Sequence, residues 1–262
     1  MSMLPSGFAP AWPCPPNVGA WVTTRAGGVS QPPFASLNLG DHVGDNPGDV
    51  AENRKRVTAL LPGTPRWLQQ VHGIEICRVD STTQASSVPV ADAAVSHRPG
   101  QVCAVMTADC LPVLLCDRQG SVVAAAHAGW RGLCAGVIER CVAEMGVPPQ
   151  TLMAFLGPAI GPTAFEVGGE VRSAFMAHNE RAEAAFRSGL EDKWFADIYL
   201  LARQRLHDIG VPADAVYGGD RCTVSEPDAF FSYRRDGATG RMAALIWLTP
   251  ASAIPDTAMA SP

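Results

Sequence analysis

The stretch Met106–Gly132, "MTADCLPVLLCDRQGSVVAAAHAGWRG", holds two apolar runs, Leu111–Cys116 and Ser121–Ala126, joined by Asp117-Arg118-Gln119-Gly120. Apolar runs of this length between turn residues read as strands buried on both faces. A two-residue turn at Arg118-Gln119 opposes Asp117 and Gly120. The same register sets Cys110 opposite His127, with Cβ atoms about 5 Å apart. A thiol and an imidazole so placed can hold something between them. The register has an alternative, because Arg118-Gln119 is not a favoured tight-turn pair. A bulge at Gly120 would shift the ladder by one residue and turn Cys110 and His127 to opposite faces. Pro112 also marks an edge or an irregularity.

Outward from this hairpin, further strands are expected at Ala20–Arg25, around "RWLQQVHGIEICRVD", at "ADAAVS", "QVCAVMTADC" and "AFLGPAIGP", and at "RMAALIWL" near the end. A helix follows the Gly- and Asp-rich loop "FASLNLGDHVGDNPGD", with Asp49 and Glu52 as a capping-box-like start. After His127, Leu133, Val137, Cys141 and Met145 fall four apart on one helical face. Glu170–Phe186 and Trp194–Ile209 read as two more helices. Strands come in runs between helices rather than in strict alternation. That favours an α+β fold with mixed sheets over a doubly wound α/β fold.

No linker or repeat divides the chain, so a single domain is expected over residues 1–249, with the aperiodic stretch 250–262 as a frayed tail. Of the 262 residues, 47% are hydrophobic and 17% charged, enough for a sizeable core. The net charge of -5 argues against a nucleic-acid-binding face. No apolar run reaches membrane-spanning length, and the first residues lack a signal-peptide pattern. Eight irregularly spaced cysteines then read as reduced thiols, and a cytoplasmic location is expected.

Three residues stand out: His72, Cys110 and His127 each end a probable strand beside irregular backbone. Two imidazoles and a thiolate suit a catalytic zinc ion with one position open; scattered structural residues are the plainer alternative. Arg54 lies on the apolar stripe of Val50, Val57 and Leu61, either in a buried ion pair or as an anchor for a substrate oxyanion. "AGWRG" leads into a helix whose start, with Arg131, suits an anion; a glycine turn that merely allows close packing is the other reading.

The segments "SLNLGDHVGDNPGDVAENRKRV", "QQVHG", "ADAAVS", "TADCLPVLL", "AAHAGWRGL", "GPAIGP…FEVG" and "FFSYRRDGATGRMAALIWL" resemble the bacterial family related to human laccase-domain-containing protein. Its members are variously called polyphenol oxidase, purine nucleoside phosphorylase or peptidoglycan editing factor. The resemblance runs in order from about Ala20 to Leu248. It implies an α+β fold in which two mixed β-sheets pack face to face with helices outside, making four layers. It implies zinc on His72, Cys110 and His127, which are then also the catalytic residues. The implied reactions are phosphorolysis of adenosine, inosine, guanosine and 5′-methylthioadenosine, and deamination of adenosine. Nucleoside and phosphate are the implied partners of a monomer or small homo-oligomer. Asn38, His42, Arg54, Asp92 and Arg131 are candidate substrate contacts, and Glu166 or Asp109 a candidate acid or base. Many members carry cysteine, histidine or tyrosine where this chain has Thr163-Ala164-Phe165, which removes a metal or redox role from that loop.

Three rival functions compete with this reading. A multicopper oxidase needs a blue-copper site and several further imidazoles, and six histidines are too few. A hydrolase using Cys110 as nucleophile and His127 or His72 as base could edit a cell-wall precursor. A non-catalytic metal module would need a fourth protein ligand, for which Asp109 and His42 are the candidates.

Overall fold

The computed structural model describes residues 4–80 and 87–249, so the tail expected at 250–262 lies outside the described residues. The central hairpin forms the middle of a six-stranded mixed sheet. Its strands β7 (Leu111–Asp117) and β8 (Val123–Ala128) are flanked by β9 (Leu152–Leu156) and β13 (Val216–Gly218) on one side. On the other lie β5 (Ala93–Ser96) and β4 (Ile76–Arg78). The two outermost pairings are parallel and the inner ones antiparallel.

The hairpin register differs from the one expected. Leu111 pairs with Ala128, and Pro112, not Cys110, pairs with His127. The turn is a four-residue loop built by the Asp117 carboxylate. One of its oxygens accepts the N–H groups of Ser121 (2.7 Å) and Val122 (3.1 Å), and the other accepts the Ser121 hydroxyl (2.8 Å). Gly120 supplies the left-handed residue, at φ 64°. The ladder has slipped by two residues, and a slip of two keeps every side chain on its face. Cys110 and His127 therefore remain on the same side.

A second mixed sheet has the order β1 (Gly7–Phe8), β2 (Val18–Thr23), β14 (Met242–Leu248), β6 (Val102–Thr107), β3 (Pro65–Arg66). Val22, Val105 and Ile246 from this sheet pack against Leu114, Val123 and Phe155 from the first. The far side of the six-stranded sheet, carrying Val113, Leu115 and Ala126, is covered by α2 (Trp130–Ala135), α3 (Val137–Met145) and α5 (Ile198–Asp208). The far side of the other sheet, with Ala104 and Leu245, packs against Leu37 and Leu39 of the preceding loop and against Val57 of α1 (Pro47–Thr58). The layers run helix, sheet, sheet, helix, the α+β arrangement expected. Each fully buried leucine of this sandwich contributes about 1.5–3 kcal/mol by leaving water.

Several elements differ from the sequence reading. The cap of α1 is Asn46, whose side chain accepts the Gly48 N–H at 2.8 Å, and Asp49 lies inside the first turn. The helix expected after His127 is two helices, broken at Gly136 (φ 100°). Glu170–Phe186 is a short α4 (Gly169–Met176), a 3-10 turn over Glu180–Ala185, and the start of β11 (Phe186–Ser188). Trp194 belongs to β12 (Lys193–Ala196), and α5 begins only after Asp197 accepts the Leu200 N–H at 2.9 Å. With β10 (Glu166–Gly168), these strands form a third sheet in the order β10-β12-β11.

Candidate metal centre and its cavity

His127 lies near the end of β8, among residues that alternate between the two faces of its sheet. Ala126 and Ala128 face the helices, while Ala125 faces the second sheet, as His127 must. Across the β5·β8 ladder, Ala93 pairs with Ala126, which places Asp92 beside His127. The Asp92 carbonyl accepts the His127 backbone N–H at 2.7 Å, and its carboxylate meets His127 Nδ1 at 2.8 Å. The same carboxylate accepts the N–H groups of Val71 (3.2 Å), His72 (2.9 Å) and Gly73 (2.7 Å). His72 is thus held in the left-handed region at φ 61°, a conformation that costs a non-glycine residue about 1 kcal/mol or more. Burial pushes the Asp92 carboxyl up, but the His127 bond and the backbone N–H groups outweigh it and bring it down.

Cys110 follows a second left-handed residue, Asp109, at φ 88°. The Asp109 carboxylate accepts the Thr223 hydroxyl at 2.5 Å and the Arg234 backbone N–H at 2.6 Å, so it is engaged with the wall and not with the triad. Cys110 Sγ stands 3.7 Å from His72 Nε2. The two imidazole rings lie 4.8 Å apart, edge to face. One ligand atom from each of His72, Cys110 and His127 falls within 4.8 Å of the others, and among the described residues this is the only such group. Gly129 closes over them: a Cβ there would stand 2.9 Å from Cys110 Sγ and 2.8 Å from His72 Cδ2.

Burial raises the Cys110 thiol, but the His127 charge and hydrogen bonds from both imidazoles overcome it and bring it down to about 6. His127 moves the other way. Burial lowers it, and the sulfur of Cys110 with the Asp92 carboxylate holds it up at about 9. Without metal, each group of the pair favours the charged form of the other, thiolate beside imidazolium. The donor set of two imidazole nitrogens and one easily ionised sulfur, fixed within reach of each other, fits a zinc-type ion.

The triad opens into a cavity of about 650 Å³. His42 and Arg131, expected from the sequence, are on its wall, as are Glu166 and Asp109. Arg131 is exposed and stacks on Trp130 at 4.6 Å. Burial, then the charge of Arg241, lowers the imidazole of His42. Asn38, Arg54 and Asp92 are not on the wall. Arg54 pairs with Asp41 (3.2 Å), donates to the Leu39 carbonyl (2.9 Å) and lies over Trp67. Asn38 is fully buried, and its Oδ1 accepts the Arg241 backbone N–H at 2.9 Å.

The sequence reading missed Gln70, Tyr233, Arg234 and Arg241, all of which line the cavity. Arg241 Nη1 donates to the carbonyls of Thr239 and Gly240, while its Nε and Nη2 donate to no described residue. Arg234 Nη1 donates to the carbonyls of Ala164 and Glu166. None of Arg131, Arg234 and Arg241 has a carboxylate partner within salt-bridge distance among the described residues. The signal was "SYRRDGATGR", three arginines clustered about a Gly-rich loop just before the last strand.

The model of the family described as multi-copper polyphenol oxidoreductase laccase matches residues 19–249. The chain belongs to this family. It is 60% identical over 244 residues to a protein named purine nucleoside phosphorylase YfiH from Escherichia coli K12, covering 92% of this chain and 98% of that one. A Pseudomonas aeruginosa protein, also named a purine nucleoside phosphorylase, is 56% identical over 242 residues, covering 92% and 98%. A crystal structure from Neisseria meningitidis superposes with a TM-score of 0.89 at 51% identity, covering 94% of this chain and all of that one. A Bacillus licheniformis structure gives 0.83 at 33% identity, covering 88% and 93%. Among the described residues no helix is long and apolar enough to cross a membrane.

Proposed function

We propose that the chain is a zinc-dependent purine nucleoside phosphorylase with adenosine deaminase activity, acting on nucleoside and phosphate in this cavity. The observation that carries the reading is one cavity holding both the His72–Cys110–His127 group and three arginines without carboxylate partners. The names borne by the E. coli and P. aeruginosa relatives support it.

His72, Cys110 and His127 would hold the zinc ion, and the ion when bound supplies Lewis-acid charge. Arg131, Arg234 and Arg241 neutralise a phosphate and set it against the ribose. A phosphate oxygen forms the new bond to C1′, the bond from C1′ to the purine nitrogen breaks, and the base leaves with the electron pair. Its proton comes from solvent or from a wall acid. The Glu166 carboxylate has no hydrogen-bond or ion-pair partner among the described residues and is the wall group assigned to move that proton. In deamination, water adds at C6 of adenine, Glu166 carries its proton to the amino group, and ammonia departs. Asn38 acts through Arg241, whose backbone it holds. Arg54 acts through the loop at Leu39.

A role in copper oxidation is disfavoured by the histidine count. His97 is spent on the Met145 carbonyl, and His178 and His207 are surface residues. The depressed thiol of Cys110 beside two imidazoles favours one second reading, a cysteine hydrolase acting on a cell-wall precursor. Chelator separates the two, because a cysteine nucleophile survives chelation and leaves a covalent adduct.

The test is to incubate metal-analysed protein with adenosine, with and without phosphate. Free adenine and ribose 1-phosphate are expected with phosphate, and inosine without it. Turnover that persists after complete zinc removal would contradict the proposal.

A further inference from the structure

We infer that Asp92 is the positioning residue that presets two of the three metal ligands, fixing the His72 backbone and the His127 ring through a single buried carboxylate. The inference rests on reading the triad as a metal centre, but its geometry stands independently of any metal. Asp92 is fully buried, and its two oxygens receive four donors: three consecutive backbone N–H groups and His127 Nδ1. Those donors come from segments far apart in sequence. The three N–H groups belong to Val71-His72-Gly73, and the ring belongs to the end of β8.

Each contact constrains a different degree of freedom. The bond to Nδ1 keeps a proton on that nitrogen and leaves Nε2 to face Cys110. The three backbone bonds hold the left-handed turn at His72 that carries its ring to within 3.7 Å of the sulfur. An amide cannot substitute. Asparagine keeps one acceptor oxygen and turns an NH2 toward groups that are themselves donors. Loss of such a partner typically weakens metal binding about 10- to 100-fold.

Asp117 provides the control. It too is a buried aspartate that accepts backbone N–H groups, but it builds the hairpin turn and touches no ligand. The experiment compares wild type, Asp92→Asn and Asp117→Asn by zinc competition titration and by nitrogen NMR of the imidazoles in metal-free protein. Asp92→Asn is expected to lose about 10- to 100-fold in zinc affinity and to lose the slowly exchanging Nδ1–H of His127. Asp117→Asn is expected to lower Tm while keeping both. Wild-type zinc affinity and an intact Nδ1–H signal in Asp92→Asn would overturn the inference. Wild-type protein that takes up no zinc would overturn the metal reading instead, and the imidazole signals would then decide the role of Asp92. Should Asp92→Asn fail to fold, wild type still decides: a fast-exchanging or absent Nδ1–H on His127 overturns the inference.

Discussion

Cys110 is the residue at which burial and charge compete most directly. Burial alone would keep its proton on, and the neighbouring imidazoles remove it at about 6. Because the folded value lies below the ordinary 9.0, the thiolate fraction rises as pH climbs through about 6 and is nearly complete at neutrality. Alkylation of metal-free protein by iodoacetamide should follow that curve, with its midpoint near 6, and should stop when zinc is added. A midpoint near the ordinary thiol value would show that the imidazoles do not act on the sulfur. Arg241 is the matching residue on the anion side. Replacing it with glutamine removes two free donors from the cavity and should raise KM for phosphate about ten- to a hundredfold, the worth of a hydrogen bond to a charged group. Adenosine deamination, which consumes no phosphate, should keep its KM. Equal losses in both reactions would mean that Arg241 shapes the cavity instead of binding phosphate.

At the scale of elements, the hairpin shows what periodicity can and cannot resolve. Its two buried strands were legible because the six successive residues Leu111–Cys116 of β7 are buried, leaving an unbroken apolar run. The turn was not, because its geometry depends on one side chain, Asp117, wrapping back onto Ser121 and Val122. Parity saved the site, since the slip was by two residues. Asp117→Ala would leave those N–H groups without an acceptor and should cost about 1–3 kcal/mol, read as a lower Tm in chemical or thermal unfolding. Unchanged stability would mean that the loop holds its shape without the carboxylate. The small sheet of β10, β11 and β12 was invisible in the sequence for a different reason. Strands of three or four residues carry no period, and their aromatic residues Trp194 and Phe195 were absorbed into a neighbouring helical pattern. His72, Cys110 and His127 were legible as residue types. That Asp92, Asn38 and Arg54 lie behind the wall was not, because support residues and contact residues share one chemistry.

Across the whole molecule, the site forms where the sandwich stops. The inter-sheet face that buries Ala125 and Leu114 ends at His127 and Pro112, and beyond it the packing opens into the cavity. The six-stranded sheet supplies His127 and leads into Cys110 and Asp92, while the loop between β3 and β4 brings His72. The second sheet delivers Arg241 at the entry to β14, directly from a loop pinned by Asn38. His127 and Arg241 thus come from different layers and meet only in the finished fold. The central claim is that His72, Cys110 and His127 share one ion. It is tested most directly by the metal content of purified wild type and of His72→Ala, Cys110→Ala and His127→Ala, each checked for folding by circular dichroism. One tightly held zinc per wild-type chain, lost from all three folded variants, is the expected result. Folded variants that retain a full equivalent of zinc would contradict it.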